Sequence, residues 1–146
     1  MRTRKGKILE MHGIIRKFKF SKYADIRAND KHAYFECVLS KEPEGNGFVY
    51  LWLESDEESN NIVYIGKTEK RMKDRCKDHL NGFKGTSKSE AGLRHSLNIC
   101  NGIKAAKHYE VYFRKSEVQI ILGMKVSMCC VEEKALIQQV NPPWNK

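Results

Sequence analysis

Two short apolar runs, FVYLWL and NIVYIG, flank the acidic stretch ESDEESN. The runs are rich in β-branched and aromatic residues, and the polar stretch has the length of an open hairpin loop. The pattern predicts two antiparallel strands, roughly 47–53 and 61–66. Along TEKRMKDRCKDHLNGF the residues Met72, Cys76 and Leu80 recur every fourth position, the spacing of a buried helical stripe. Thr68 is placed to cap that helix, with Arg71 where a full capping box would have Glu, and Gly82 to end it. A second helix is predicted over SKSEAGLRHSLNIC, with Leu93, Leu97 and Cys100 as its core face and Asn101-Gly102 as its stop. HYEVYFRK, EVQIIL and MKVSMCC read as strands, and VEEKALIQQV as a last helix halted by Asn141-Pro142-Pro143. Upstream, IIRKFKF and HAYFECVLS also read as strands, followed by the loop KEPEGNG. The sum is an α+β fold: a small antiparallel sheet with three central strands, flanked by helices. Residues 1–46 form a β-rich N-terminal extension packed on or bridging the main domain of residues 47–146.

A length of 146 residues suits one domain with its own core. No stretch approaches the ~20 consecutive apolar residues of a membrane span, and the charged start MRTRKGKILEMHGIIRK has no signal-peptide core. The expectation is a soluble, cytoplasmic protein with no membrane partner. Five cysteines, Cys37, Cys76, Cys100, Cys129 and Cys130, are scattered and lack the CxxC pairs of a zinc site; they read as reduced and mostly buried.

The net charge of +9 is unevenly spread. Residues 1–41 carry eleven Lys/Arg against four Asp/Glu, residues 42–65 six acids and no base, and residues 66–115 thirteen bases against five acids. Two basic blocks thus flank one acidic loop. Such a field draws in a polyanion such as nucleic acid, through release of counterions; the plainer reading is a well-solvated basic surface.

Candidate chemistry gathers at the hairpin and the helix after it. Residues four apart on a helix share a row, so Arg71, Arg75 and His79 emerge beside the buried stripe, at the margin of the core. An Arg there can hold a phosphate and a His can move a proton near neutral pH; a basic row lying over apolar surface is the alternative. By strand alternation Tyr50 belongs with Phe48 and Trp52, and Tyr64 with Ile62 and Gly66. Gly66 allows close backbone approach, and Lys67 puts a cation at the hairpin mouth.

This arrangement, FVY then YIGKT then Arg and His four apart on the next helix, resembles the GIY-YIG nuclease family. EKALIQQVNPPWN is similar to that family's last helix, with Glu133, Leu136, Ile137 and Asn145 in the matching positions. The resemblance runs from residue 47 to residue 145. It implies a magnesium-dependent endonuclease hydrolysing phosphodiester bonds of double-stranded DNA, with Mn2+ as the alternative ion. It further implies that Tyr50 takes the proton of the attacking water, with Lys67 or the metal favouring its phenolate. Tyr64 and Arg75 would position and neutralise the phosphate, His79 would orient or relay a proton, and Asn145 would fix the last helix against the site. Glu133 is the metal ligand implied, with Glu132 beside it as the other choice. The first motif reads Phe48-Val49-Tyr50 in place of Gly-Ile-Tyr. Arg75 lies one residue further from Gly66 than in many members, with Arg71 as the fallback. FSKY and SKSEAGLRHSL are similar to segments of small phage members, which makes Lys22, Lys88, Arg94 and His95, together with Arg71, candidate DNA contacts. A homo-oligomer, dimer or tetramer, is expected because one site cuts one strand, with the N-terminal strands as its interface. A catalytically inactive DNA-binding module is the rival reading. The lack of attached domains favours degradation of foreign or host DNA, or restriction, in a bacterial cell or phage-infected host.

Overall fold

The computed structural model describes residues 13–86 and 90–145. Residues 13–17 are helical (α1), followed by strands β1 (Ser21–Ala28), β2 (Ala33–Cys37), β3 (Phe48–Ser55) and β4 (Asn60–Thr68). Helices α2 (Met72–Lys84) and α3 (Glu90–Lys104) come next, then β5 (His108–Lys115), β6 (Val118–Ile121), β7 (Met124–Ser127) and α4 (Cys129–Val140). A 3-10 turn covers Pro143–Asn145.

Five strands form one antiparallel sheet in the order β2-β1-β5-β3-β4, so the N-terminal strands extend the sheet of the central three. Side chains of Tyr50, Trp52 and Val111 point into one core with Met72, Phe83 and Ile99 of α2 and α3. Val49, Leu51 and Leu53 point into a second core with Cys129 and Leu136 of α4 and with Ile14, Ile15 and Phe18 of the α1 region. Coverage on both faces explains why β3 reads as an unbroken apolar run instead of an alternating one.

Several elements differ from the sequence reading. IIRKFKF is no strand. Ile14, Ile15 and Phe18 make a helical stripe, and Lys19 turns left-handed (φ 59°) to end it, with Phe20 N bonding Ile15 O at 2.9 Å. The strand lies one segment later, at β1. Thr68 ends β4 and caps nothing; its Oγ1 accepts from Lys70 N at 3.0 Å. α2 begins at Met72 and runs past Gly82 to a left-handed Gly85. α3 runs past Asn101-Gly102 to Lys104 and is turned the other way from expectation: Leu93 and Leu97 are exposed, while Gly92, His95, Ser96 and Ile99 are buried. The reason is close packing. A Cβ on Gly92 would sit 2.6 Å from Gly82 Cα, and Ser96 Oγ accepts from Ala33 N at 2.9 Å, leaving no room for leucine on that face.

Strand pairing also departs from strict alternation. Trp52 faces Tyr64 and Leu53 faces Ile62, so Val63 is an extra residue in a bulge. Tyr64 and Gly66 therefore share the face of Tyr50, and Ile62 lies on the opposite one. β6 and β7 pair only with each other, Met128 to Cys130 having left the strand for the start of α4. All five cysteines are free thiols, and Cys37 and Cys130 are exposed rather than buried. Among the described residues no helix is long and apolar enough to cross a membrane.

Candidate active site

The centre of the site is the hydroxyl of Tyr50, at mid-strand on the face covered by α2. Gly66 stands opposite it across the β3–β4 pair, and a Cβ there would meet Tyr50 Oη at 2.3 Å. Glycine at this position makes room for the hydroxyl. From α2, one turn apart, Arg75 Nε donates to Tyr50 Oη at 2.9 Å and His79 Nε2 lies 2.6 Å from it. Both belong to the row that the helical spacing defined; Arg71 stays at the exposed start of α2, bound to Asp74 at 2.9 Å.

Burial sets the protonation of this cluster. Burial, and then the Arg75 guanidinium and His95, hold His79 well below the usual histidine range, so its imidazole is neutral. Burial, reinforced by Tyr64, pushes the Tyr50 phenol well above its usual value, with Arg75 opposing. With Arg75 donating to Oη, the phenol proton is left for His79 Nε2, and both groups are satisfied by one chain of hydrogen bonds.

A cleft of about 500 Å³ opens beside the cluster, lined by Tyr64, Arg75, Asp78, His79, Gly82, Gly92 and His95 among others. Tyr50 itself is 1% exposed and lies beneath Arg75. Aromatic rings form the floor: Trp52 packs on Tyr64 at 4.5 Å and on His79 at 5.0 Å, and Tyr64 on His95 at 4.9 Å. His95 is buried, with Nε2 3.3 Å from Trp144 O. Asp78 is the one carboxylate lining the cleft, and it is paired with Lys70 at 3.5 Å.

The two neighbouring glutamates of α4 separate cleanly. Glu132 accepts from Glu117 N at 3.1 Å and faces Arg114 at 3.6 Å, toward the end of β5. Glu133 is half-buried; burial raises its carboxyl above the usual range, while Lys67 and then Arg75 pull it down. Lys67 lies opposite Val49 in the sheet, on the α4 face, so it is a neighbour of Glu133 and not of the Tyr50 hydroxyl. The cation over Tyr50 is Arg75. Asn145 clamps the outer edge of β4: Ile65 N donates to its Oδ1 at 2.8 Å and its Nδ2 donates to Ile65 O at 2.7 Å. That edge strand is sealed one residue from Gly66.

Glu133 offers a single carboxylate, the oxygen donor type of a hard cation whose other places are taken by waters and a phosphate oxygen; the charges of Lys67 and Arg75 act on the same carboxyl. A second group, Glu69, Cys129 and Cys130, has its ligand atoms within 4.8 Å of one another, but two thiols are soft donors unsuited to magnesium.

The remaining candidate contacts scatter. Lys22 is held by Asp25 at 2.8 Å and Glu110 at 2.7 Å, and sits opposite Tyr112 on the α4 side of the sheet. Arg94 is exposed on α3, and Lys88 lies outside the described residues. The sequence reading put Trp52 on the face of Tyr50 by alternation but gave it no part in the site; it missed the aromatic floor that Trp52 builds with Tyr64, His79 and His95, and Asp78, which had no signal apart from its charge.

The family model of the GIY-YIG catalytic domain matches residues 46–146, and the chain belongs to this nuclease family. Endonuclease II of Enterobacteria phage T4 is 25% identical over 139 residues, covering 92% of this chain and 96% of the relative. A solved structure of a bacteriophage T4 EndoII mutant superimposes with a TM-score of 0.69 at 23% identity, covering 93% of this chain and 98% of that one. The restriction endonuclease HPY188I, in complex with product DNA, gives a TM-score of 0.52 at 14% identity, over 94% of this chain and 84% of that one. The α+β fold of this chain is that of these neighbours.

Proposed function

We propose that the protein is a metal-dependent endonuclease acting on double-stranded DNA. The family supports a DNA-cleaving hydrolase. One observation supports the finer reading: Tyr50 Oη is bridged to Arg75 and His79 beneath a cleft, with the half-buried carboxylate of Glu133 within the electrostatic reach of Lys67 and Arg75. In the proposed reaction, Tyr50 Oη takes the proton of the attacking water as its own proton passes to His79 Nε2. No charged phenolate has to persist in the buried site. Arg75 neutralises the phosphate as the P–O bond to the leaving group breaks, the departing oxygen takes a proton from water, and Tyr64 orients the phosphate from the cleft wall. Magnesium or manganese held by Glu133 would supply Lewis-acid polarisation of the phosphate oxygen.

The test is cleavage of supercoiled plasmid with Mg2+, Mn2+ or EDTA. Wild type cuts only with metal; Glu133→Ala and Tyr50→Phe lose cleavage by roughly 100-fold or more, while Glu132→Ala keeps it. If the wild type binds DNA and leaves it intact with both metals, the protein is a binding module on this scaffold.

We further infer a homo-oligomer that acts in the cytoplasm of a bacterial cell or phage-infected host, where its DNA substrate lies. The N-terminal strands are built into the sheet, with β2 at its edge, and remain one candidate interface; the β6–β7 hairpin is a second. On the hairpin, Ile120 is 64%, Met124 68% and Leu122 99% exposed. Neither of its outer edges pairs with another strand among the described residues, so a second copy can add the same edge about a two-fold axis.

A further inference from the structure

We infer that Glu42 is a positioning residue for this site, acting through α2; the inference rests on the nuclease reading above. A helix begins with four N–H groups that have no partner within it. α2 lacks a side-chain cap of its own, since Arg71 at the N-cap position turns outward to Asp74. The amide of Lys73 is taken instead by Glu42 Oε1 at 2.9 Å, from 31 residues upstream. The other carboxylate oxygen of Glu42 accepts from Tyr23 Oη at 2.8 Å.

Tyr23 is a firm anchor. It is 3% exposed within β1, and its ring meets Phe113 of β5 edge-on at 5.7 Å. One carboxylate therefore ties the added strands of the sheet to the first turn of the helix that carries Arg75 and His79. Its negative charge also faces the positive end of the helix. The loop on either side is pinned as well, with Val38 N on Tyr23 O at 3.1 Å and Gly47 N on Lys70 O at 3.2 Å.

Position along the helix axis is what this link controls. Arg75 follows Lys73 by two residues, and both hydrogen bonds to Tyr50 Oη, at 2.9 and 2.6 Å, depend on the height of α2 above β3. Buried Met72 and Phe83 hold the helix against the sheet by apolar contact, and the Lys73–Glu42 hydrogen bond adds a directional tie at its first turn. Neither hydrogen-bond partner of Glu42, Tyr23 or Lys73, lines the cleft, so its effect is expected on the chemical step more than on DNA capture.

Single-turnover plasmid cleavage across DNA concentrations tests this, together with hydrogen exchange of the Lys73 amide. Glu42→Ala is expected to lower the cleavage rate roughly 10–100-fold, the effect of misplacing groups by about an ångström, with half-saturating DNA little changed. Glu42→Gln restores the rate to near wild type, because its carbonyl accepts from Lys73 and its amide can donate to Tyr23 Oη. The Lys73 amide exchanges faster in the Ala variant and at the wild-type rate in the Gln variant. Tyr23→Phe, which removes one link and leaves the ring, gives an intermediate rate and decides the matter if the Ala variant does not fold. Unchanged cleavage in the Ala and Phe variants, equal losses in Ala and Gln, or a change confined to half-saturating DNA overturns the assignment. If wild type itself fails to cut, the nuclease reading falls, and Lys73 exchange still reports whether Glu42 holds α2.

Discussion

Tyr50 Oη receives a hydrogen bond from Arg75 and gives one to His79, which fixes protonation as well as geometry. The buried imidazole of His79 is held well below 6.5, whereas in the unfolded chain it titrates near that value. A depressed folded-state pKa gives stability that is complete above 6.5 and is lost as pH falls, because the unfolded chain takes up the proton first. Urea unfolding of the wild type is therefore expected to lose stability below pH 6.5 more steeply than His79→Gln does. Equal slopes would mean that the ring is not buried neutral. The row Arg75–His79 and both tyrosines were legible in the sequence, because helical and strand periodicity place them directly. The different surroundings of Glu132 and Glu133 were not, since Arg114 and the Glu117 amide are brought to Glu132 by the fold. Lys67 was assigned to Tyr50 by nearness in sequence, yet adjacent strand residues point to opposite faces.

Among the elements, the α2–α3 crossing determines the cleft, because it sets the distance between His79 and His95 across Gly82 and Gly92. An added methyl at Gly92 would press on backbone, not on a flexible side chain. Gly92→Ala is expected to cost about 1–3 kcal/mol, as overpacking does, read by urea denaturation. A neutral outcome would show that the helices can part without loss. The strands β3 and β4 were readable from their apolar runs, and the helix α4 from its Asn-Pro-Pro stop. The orientation of α3 was hidden because its inner face is Gly, Ser and His, while its leucines look outward. α1 was hidden because FKF imitates strand alternation. The bulge at Val63 carries no mark in the sequence, and it is what separates Ile62 from the face that Tyr64 and Gly66 share with Tyr50.

For the whole molecule, the excess of basic residues matches a polyanionic substrate, and the outward apolar hairpin matches self-association. Ile120→Lys with Met124→Lys is expected to convert an oligomer to monomer in light scattering, with folding intact because neither side chain enters either core. A wild-type monomer at working concentration would remove the hairpin as an interface. The sequence showed strands at this hairpin but not its isolation from the sheet, where β1 and β3 already occupy both sides of the preceding strand β5. Asn145 has one more consequence, in the order of synthesis. Its two bonds reach back 80 residues to Ile65, and Glu133 also lies late in the chain. A ribosome thus releases the tyrosines, the arginine and the histidine long before it supplies Glu133 and the clamp on β4. If Glu133 holds the metal as proposed, a chain that stops short of residue 133 is expected to leave DNA uncut, which plasmid cleavage by the truncated product checks.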